Sequence, residues 1–305
     1  MSTTRWTDSK TNKLDDAISL LIDPVEENDE NKWIVWRDWQ LNKAFSSSES
    51  ITINGFNVDY NVIHYNYNQV TVVPSPSEDR IIPKSGRIIV YYYMGVINYI
   101  IDQNSNAQKM LRRLLSYSGK NEIEKNSFQF NSDFFIWMIF RVFNKNISIE
   151  NIINDKQMIL YIDAIKGFRG NTEDLQNKVS ADGEAVMNLI SALSFLLESS
   201  ALNQIKVDIK YTNHDNISLK LQQNTVQIDF CTYQGEYEND MDDLKYAKLY
   251  LLVYLEIVPI LEQEYFSDKS ESEWGEDKYK SFLNDIAKLL NDKIQEKLKI
   301  DENNQ

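Results

Sequence analysis

Apolar residues recur along this chain with two different periods, and the period separates helices from strands. Lys13–Ile22 carries Leu14, Ala17, Ile18, Leu21 and Ile22 at helical spacing, closed by Pro24. Trp33, Trp36 and Trp39 follow at steps of three, which predicts a second helix with all three rings on one side. From Ile51 to Val72 the pattern changes to alternation, with Asn54-Gly55 as a two-residue hairpin turn. Val73–Gly86 holds three prolines and reads as a linker. Arg87–Ile101 is continuously apolar and fits a buried strand or the start of a helix. Ala107–Ser118 predicts a helix with Met110, Leu111, Leu114 and Leu115 inward and Lys109, Arg112 and Arg113 outward. Asn131 or Ser132 caps an apolar helix through Phe143. Its Arg141 must reach solvent or a carboxylate, because an unpaired buried charge is very costly.

The second half is easier to read. Ile147–Asp163 fits either helix or strand, and Lys166–Gly170 reads as a turn. Ser180 caps an expected helix with Val186, Leu189, Ile190, Leu193, Leu196 and Leu197 as its apolar stripe. Residues 204–231 then alternate in three runs separated by His214–Asn216 and Gln223-Asn224, which predicts an antiparallel meander. One face of that meander is apolar. The other carries Lys206, Asp208, Lys210, Ser218, Lys220, Gln227, Asp229 and Cys231. A long helix from Leu244 should kink or end near Pro259, and Phe282, Ile286, Leu289, Leu290, Ile294 and Leu298 mark an amphipathic last helix. The fold class is therefore α+β: antiparallel sheet segments, an N-terminal hairpin region and the 204–231 meander, packed with several amphipathic helices. Two arrangements are open. Residues 1–150 and 151–305 form two regions, the first with a basic helical middle and the second helix–meander–helix, or the whole is one interleaved domain.

Composition narrows the setting. With 42% hydrophobic and 12% aromatic residues, the 305-residue chain can bury a substantial core. A single cysteine, Cys231, excludes an internal disulfide framework and a zinc site built on several cysteines, and suits a cytoplasmic, reducing compartment. The first residues lack the apolar run of a signal peptide, and no apolar stretch reaches the ~20 residues of a membrane span. The expectation is a cytoplasmic protein with no membrane partner. Charge is uneven. Residues 80–145 hold ten basic and four acidic residues, whereas the flanking blocks 1–79 and 234–305 hold six against thirteen and nine against eighteen. This argues against general coating of nucleic acid but leaves room for a local anion site.

Candidate chemistry is sparse. Two histidines, His64 and His214, leave few ways to build a catalytic triad; His64 reads as a packing or surface residue and His214 as a surface residue of a turn. No phosphate loop, dinucleotide fingerprint, zincin helix or calcium loop occurs. Trp33, Trp36 and Trp39 are candidates for an interaction surface, and the last helix for self-association or a protein partner. Lys109, Arg112, Arg113, Lys166 and Arg169 are candidates for nucleic-acid or anion binding. Asp208 and Lys210 stand two apart on one strand face. With Glu184 or Glu198 on the preceding helix, the set resembles the core of restriction-type nucleases over about thirty residues, although in that family another strand precedes the Asp-x-Lys strand. The resemblance implies carboxylates holding Mg²⁺ and Lys210 steadying an attacking hydroxide. Apart from that alternative no cofactor and no metal site is expected. The leading expectation is a non-catalytic, intracellular binding or interaction protein. Its Asn-, Lys-, Ile- and Tyr-rich composition, like that of AT-rich genomes, suggests a bacterial or phage multi-protein system, phage defence among them. The alternative is a nucleic-acid-binding or metal-dependent nuclease component using segment 80–145 and Asp208/Lys210.

Overall fold

Among the described residues strands outnumber helices and all strand pairings are antiparallel, and the fold is α+β. The computed structural model describes residues 2–24, 33–72, 80–119, 121–153, 156–172, 178–182, 194, 196–197 and 199–303. The chain divides into two compact units, residues 1–128 with 239–255 and residues 129–238 with 256–305. No helix among the described residues is long and apolar enough to cross a membrane.

The first unit is a seven-stranded sheet in the order β2-β4-β5-β6-β1-β7, with β3 also paired to β4. Its strands are β1 (Thr4–Asp8), β2 (Ile34–Lys43), β3 (Glu49–Ile53), β4 (Phe56–Thr71), β5 (Arg80–Tyr93), β6 (Val96–Ile101) and β7 (Ile123–Lys125). Helices α1 (Leu14–Ile22) and α2 (Ala107–Leu114) bury Ala17, Ile18, Leu21, Met110, Leu111 and Leu114 in one core with Ile63, Tyr65, Ile88 and Val90. The alternate positions Val62, Ile89 and Tyr91 are buried too. Helix α4 (Asp242–Leu252) meets β3 and β4, and its Asp243 bonds His64 of β4 at 2.9 Å. A sheet covered on both faces needs apolar residues on both, which explains the unbroken run Arg87–Ile101. That run is two strands joined by a turn at Met94-Gly95, both at positive φ. The expected linker is partly strand: residues 80–86 open β5, and residues 73–79 lie outside the described residues. Gly86 of β5 faces Tyr65 across the ladder, so close that a Cβ would stand 2.3 Å from the phenol oxygen.

The second unit holds a six-stranded sheet in the order β10-β9-β11-β12-β13, with β8 paired to β9. These strands are β8 (Ser148–Ile153), β9 (Lys156–Thr172), β10 (Lys178–Asp182), β11 (Ser199–Tyr211), β12 (His214–Gln222) and β13 (Thr225–Gly235). The predicted meander is present as β11–β13. Three neighbouring expectations change. Ser180 lies in β10 and caps no helix there, and residues 183–193 of the expected helix lie outside the described residues. The segment Lys166–Gly170 is no turn: its two glycines sit within β9, paired on both sides. The turn before β12 falls at Thr212–Asn213, with Asn213 at φ 66°, a conformation asparagine tolerates. His214 therefore enters the ladder and is buried.

Helix α3 (Ser132–Phe143) packs on β9 and β11, and α5 (Val258–Ser270), α6 (Glu276–Asn303) and the segment between them pack on α3 through Tyr265, Phe282 and Trp274 respectively. The Asn131 side chain accepts the Phe134 N–H at 2.8 Å, the expected cap. The long helix expected from Leu244 is two helices, α4 and α5, separated by a π-helical turn at Val253–Ile257. Pro259 falls in the first turn of α5, where no N–H donor is needed. Asp133 of α3 gathers Tyr265, Lys269 and Trp274. Burial alone would raise its carboxyl, but those three donors outweigh burial and hold it below its ordinary value.

Candidate functional site

One face of the β9–β11–β12–β13 sheet takes the odd-numbered residues of β11 inward, where Ile205, Val207 and Ile209 are buried. The even-numbered residues stand on the opposite face, as alternation requires. There a groove of about 570 Å³ opens, lined by Lys166, Asp208, Ser218, Lys220 and Asp229 among others.

Strand register builds this groove in two rows. Asp208 lies opposite Ser218, which lies opposite Asp229. Two residues along, Lys206 lies opposite Lys220, which lies opposite Gln227. Two bulges in β9 add the remaining charges. Lys206 pairs with Gly167 and Val207 with Ile165, so Lys166 is an extra residue in β9. Asp208 pairs with Ala164 and Ile209 with Ile162, so Asp163 is a second. Each extra residue meets a charge on β11. Lys166 Nζ lies 3.2 Å from Asp208 Oδ2, and Lys210 Nζ lies 2.8 Å from Asp163 Oδ1. Ser218 Oγ donates to Asp208 Oδ1 at 2.6 Å. Asp208 is nearly buried on the groove floor and has both oxygens engaged. The hydrogen bond to Asp163 holds the exposed Lys210 ammonium above its ordinary pKa.

Two of the residues expected to act together are described. Asp208 and Lys210 share a face but serve different partners, and Glu184 and Glu198 lie outside the described residues. Arg169 is an exposed residue of β9, paired in register with Ser180 and Gln204. Cys231 is free and exposed. Among the described residues no group of three or more His, Cys, Asp or Glu side chains is placed to hold a metal ion.

In the first unit, Trp36 and Trp39 lie on a strand, β2, with Trp33 just before it, and not on the expected helix. In a regular strand Trp36 and Trp39 would face opposite sides. A bulge at Asp38, with φ 59°, adds one residue between the Arg37–Asn68 and Gln40–Asn66 pairs and turns both rings the same way. Trp36 is buried, Trp39 stacks on Tyr67 at 4.5 Å, and Trp33 is 69% exposed. Lys109 lies over the Trp36 ring at 4.7 Å. Arg113 lies over both Trp36 and Trp39, and its Nη2 donates to the Trp36 carbonyl at 2.8 Å. Arg112 donates to the Ser118 carbonyl. Lys109 and Arg113, expected to meet an anion, therefore pack on Trp36 and Trp39, expected to meet another ligand.

His64 is part-buried against Asp243, as a packing histidine would be. His214 is not the surface residue expected. It is 4% exposed, with Tyr237 edge-on at 4.9 Å and Tyr233 Oη 2.8 Å from Nδ1. That phenol oxygen accepts the Tyr237 N–H, which leaves its own proton for Nδ1. Burial pushes the His214 pKa below its ordinary value, against opposing pulls from Glu236 and Asp215. The neutral ring is the folded form, so its contribution is complete above pH ~6.5 and is lost as the pH falls through the lower folded pKa. The urea midpoint should therefore drop between pH 7.5 and 5, and His214→Gln should flatten that dependence. An unchanged slope in the variant would rule out His214 as the source.

Compared with known proteins, no family model matches this chain and no curated protein shows significant similarity to it. Residue periodicity places Lys206, Ser218, Lys220 and Asp229 on the polar face without bringing them into one groove. Cross-strand register was the missing information, and the two β9 bulges leave no mark in residue periodicity.

Proposed function

We propose that this chain is a non-catalytic binding protein, working in the cytoplasm as part of a bacterial or phage multi-protein system, with the polar groove of the second sheet as its ligand face. One observation carries the reading. The acid and lysine that a hydrolytic site would need together are each neutralised by a different neighbour, Asp208 by Lys166 and Ser218, Lys210 by Asp163. Around them the groove offers hydrogen-bonding and charged side chains, with no strong nucleophile among its described lining residues. Such a surface orients and holds a ligand. A single exposed thiol suits a reducing compartment.

The second reading, a nucleic-acid-binding or metal-dependent nuclease component, draws support from Asp208 lying on a groove floor beside Lys166, Lys206 and Lys220. The two readings part on turnover. The full chain incubated with single- and double-stranded DNA and RNA in 10-fold excess over enzyme, with Mg²⁺ or Mn²⁺, is expected to leave them intact. Metal-dependent cleavage abolished by Asp208→Ala would establish the nuclease and remove the non-catalytic reading.

A further inference from the structure

We infer that a pocket on the first sheet binds a carboxylate with a small apolar body, the carboxylate lying on Arg5 and the body no larger than one ring. This goes beyond the groove of the second sheet and does not rest on it. Strand register assembles the pocket. Thr7 of β1 pairs with Asn98 of β6, which pairs with Tyr91 of β5, and Val96 pairs with Tyr93. These residues and Arg5, two places before Thr7, share one face of the sheet. Asn126, just after β7, and Leu255 close the pocket, and all of it lies within the first unit. Its volume is about 200 Å³. A cavity of ~150 Å³ holds benzene, so one ring bearing a carboxylate is the right size.

Arg5 is the only charged side chain among the described lining residues. Of the five N–H groups on its guanidinium, three donate to uncharged oxygens. Nε meets the Asn126 carbonyl at 2.7 Å, Nη2 meets Asn126 Oδ1 at 2.9 Å, and Nη1 meets the Tyr254 carbonyl at 3.1 Å. One N–H remains on each terminal nitrogen, a pair that matches the two oxygens of a carboxylate. The Phe128 and Tyr254 rings, 5.1 and 6.0 Å from the guanidinium carbon, flank the fork. Tyr91 is the second donor. It is 0% exposed, and its hydroxyl has no hydrogen-bond partner among the described residues. Burial pushes this phenol up to about 12, against the pull of the nearby Arg5 charge, so it keeps its proton. The other polar groups bond one another. Asn126 Nδ2 donates to Thr7 Oγ1 and Thr7 Oγ1 to Asn98 Oδ1, each at 2.8 Å, and Asn98 Nδ2 donates to the Val96 carbonyl at 3.1 Å. The pocket therefore has donors in want of an anionic acceptor. Tyr93, Val96 and the buried Leu255 give the apolar wall for the ligand's body, with Val96 exposed at the rim.

Inorganic phosphate fits less well. A dianion carries more charge than one guanidinium neutralises, and the chain's net charge of −14 opposes the excess. It also has no apolar body for the wall.

The test is a ligand-observed NMR titration of the full chain at pH 7 and fixed ionic strength. The probes are benzoate, benzamide, acetate, inorganic phosphate and the peptide acetyl-triglycyl-phenylalanine. Benzoate should bind at one site, at least tenfold tighter than benzamide, which lacks the charge, or acetate, which lacks the body. Arg5→Lys keeps the charge without the fork and should weaken benzoate at least tenfold. Val96→Glu, a rim substitution that leaves the Arg5 contacts in place, sets a carboxylate of the chain against the site and should do the same, with far-UV circular dichroism unchanged. Tyr91→Phe should weaken benzoate at least threefold. Lys210→Ala, in the second unit, should change it by less than twofold. The peptide separates two sources of one chemistry: tighter binding than benzoate assigns the site to a chain's C-terminal carboxylate, and weaker binding to a free acid. The assignment is overturned if benzoate binds no better than benzamide, if phosphate binds more tightly than benzoate, or if benzoate binding survives Arg5→Lys and Val96→Glu. An equal loss in Lys210→Ala would show general anion attraction and overturn it too. None of these failures touches the reading of the second sheet's groove.

Discussion

Arg141→Ala is expected to destabilise the second unit by about 3–5 kcal/mol, the usual cost of breaking a buried ion pair by removing one partner. The guanidinium is 2% exposed and uses every face of its fork. Nη1 donates to Glu264 Oε1 at 2.7 Å and Asp268 Oδ2 at 2.9 Å, Nε to the Asn146 carbonyl at 2.9 Å, and Nη2 to the Ser148 carbonyl at 2.9 Å. Truncation strands two carboxylates and two carbonyls together, and opens a void beside Trp137, whose ring lies 5.5 Å away. Asp268 keeps only the Trp137 indole among these donors, at 2.7 Å. Arg141→Lys should recover less than half the loss, because an ammonium cannot reproduce the planar fork that reaches α5 and the chain after α3 at once. Urea unfolding followed by tryptophan fluorescence measures both variants. A loss under about 1 kcal/mol for the alanine variant would show that the pair contributes no more than a surface ion pair does.

The second large effect is expected at Asp8→Ala in the first unit, a loss of about 3 kcal/mol. Asp8 is 2% exposed at the end of β1. Its Oδ2 accepts Tyr99 at 2.7 Å and Tyr117 at 2.9 Å, and its Oδ1 accepts the backbone N–H groups of Lys10 and Thr11 at 2.8 and 3.0 Å. Hydrogen bonds to a buried charged group contribute roughly 1.5–3 kcal/mol each, and they do not add fully. Burial first, and then the nearby Asp8 charge, push both phenols well above their ordinary pKa, so they remain donors throughout the working range. Asp8→Asn should cost less, since its carbonyl still serves the two backbone N–H groups while the phenols lose their charged acceptor. The loss in the asparagine variant measures the tyrosine contribution, and the difference between the two variants measures that of the backbone turn. Equal losses would mean that the phenols, and not the backbone turn, depend on Asp8.

The two sites were legible to different degrees. For Arg141 the sequence alone required a carboxylate partner, because an arginine amid Phe, Trp, Met and Ile in a capped helix has no other stable arrangement. It could not name Glu264 and Asp268, which follow more than a hundred residues later. Asp8 gave no signal, since a lone acid near a chain start is ordinary and its phenols arrive from β6 and the segment after α2. The tryptophans show the opposite failure. Steps of three imply one side of a helix, yet a strand with a bulge brings Trp36 and Trp39 together just as well.

By itself the sequence determined the α+β class, the β11–β13 meander with its polar face, the Asn131 cap and the Asn54-Gly55 turn. Each follows from local periodicity or local hydrogen bonding, which act over a few residues. Only the tertiary structure decided that Ile88–Tyr91 and Ile97–Ile101 are strand buried on both faces, that Lys166 and Asp163 bulge toward β11, and that Lys206 stands opposite Lys220. Those features depend on which strand lies beside which and in what register. Register is set by packing between distant segments, and a side-chain period of two leaves it undetermined until the strands meet.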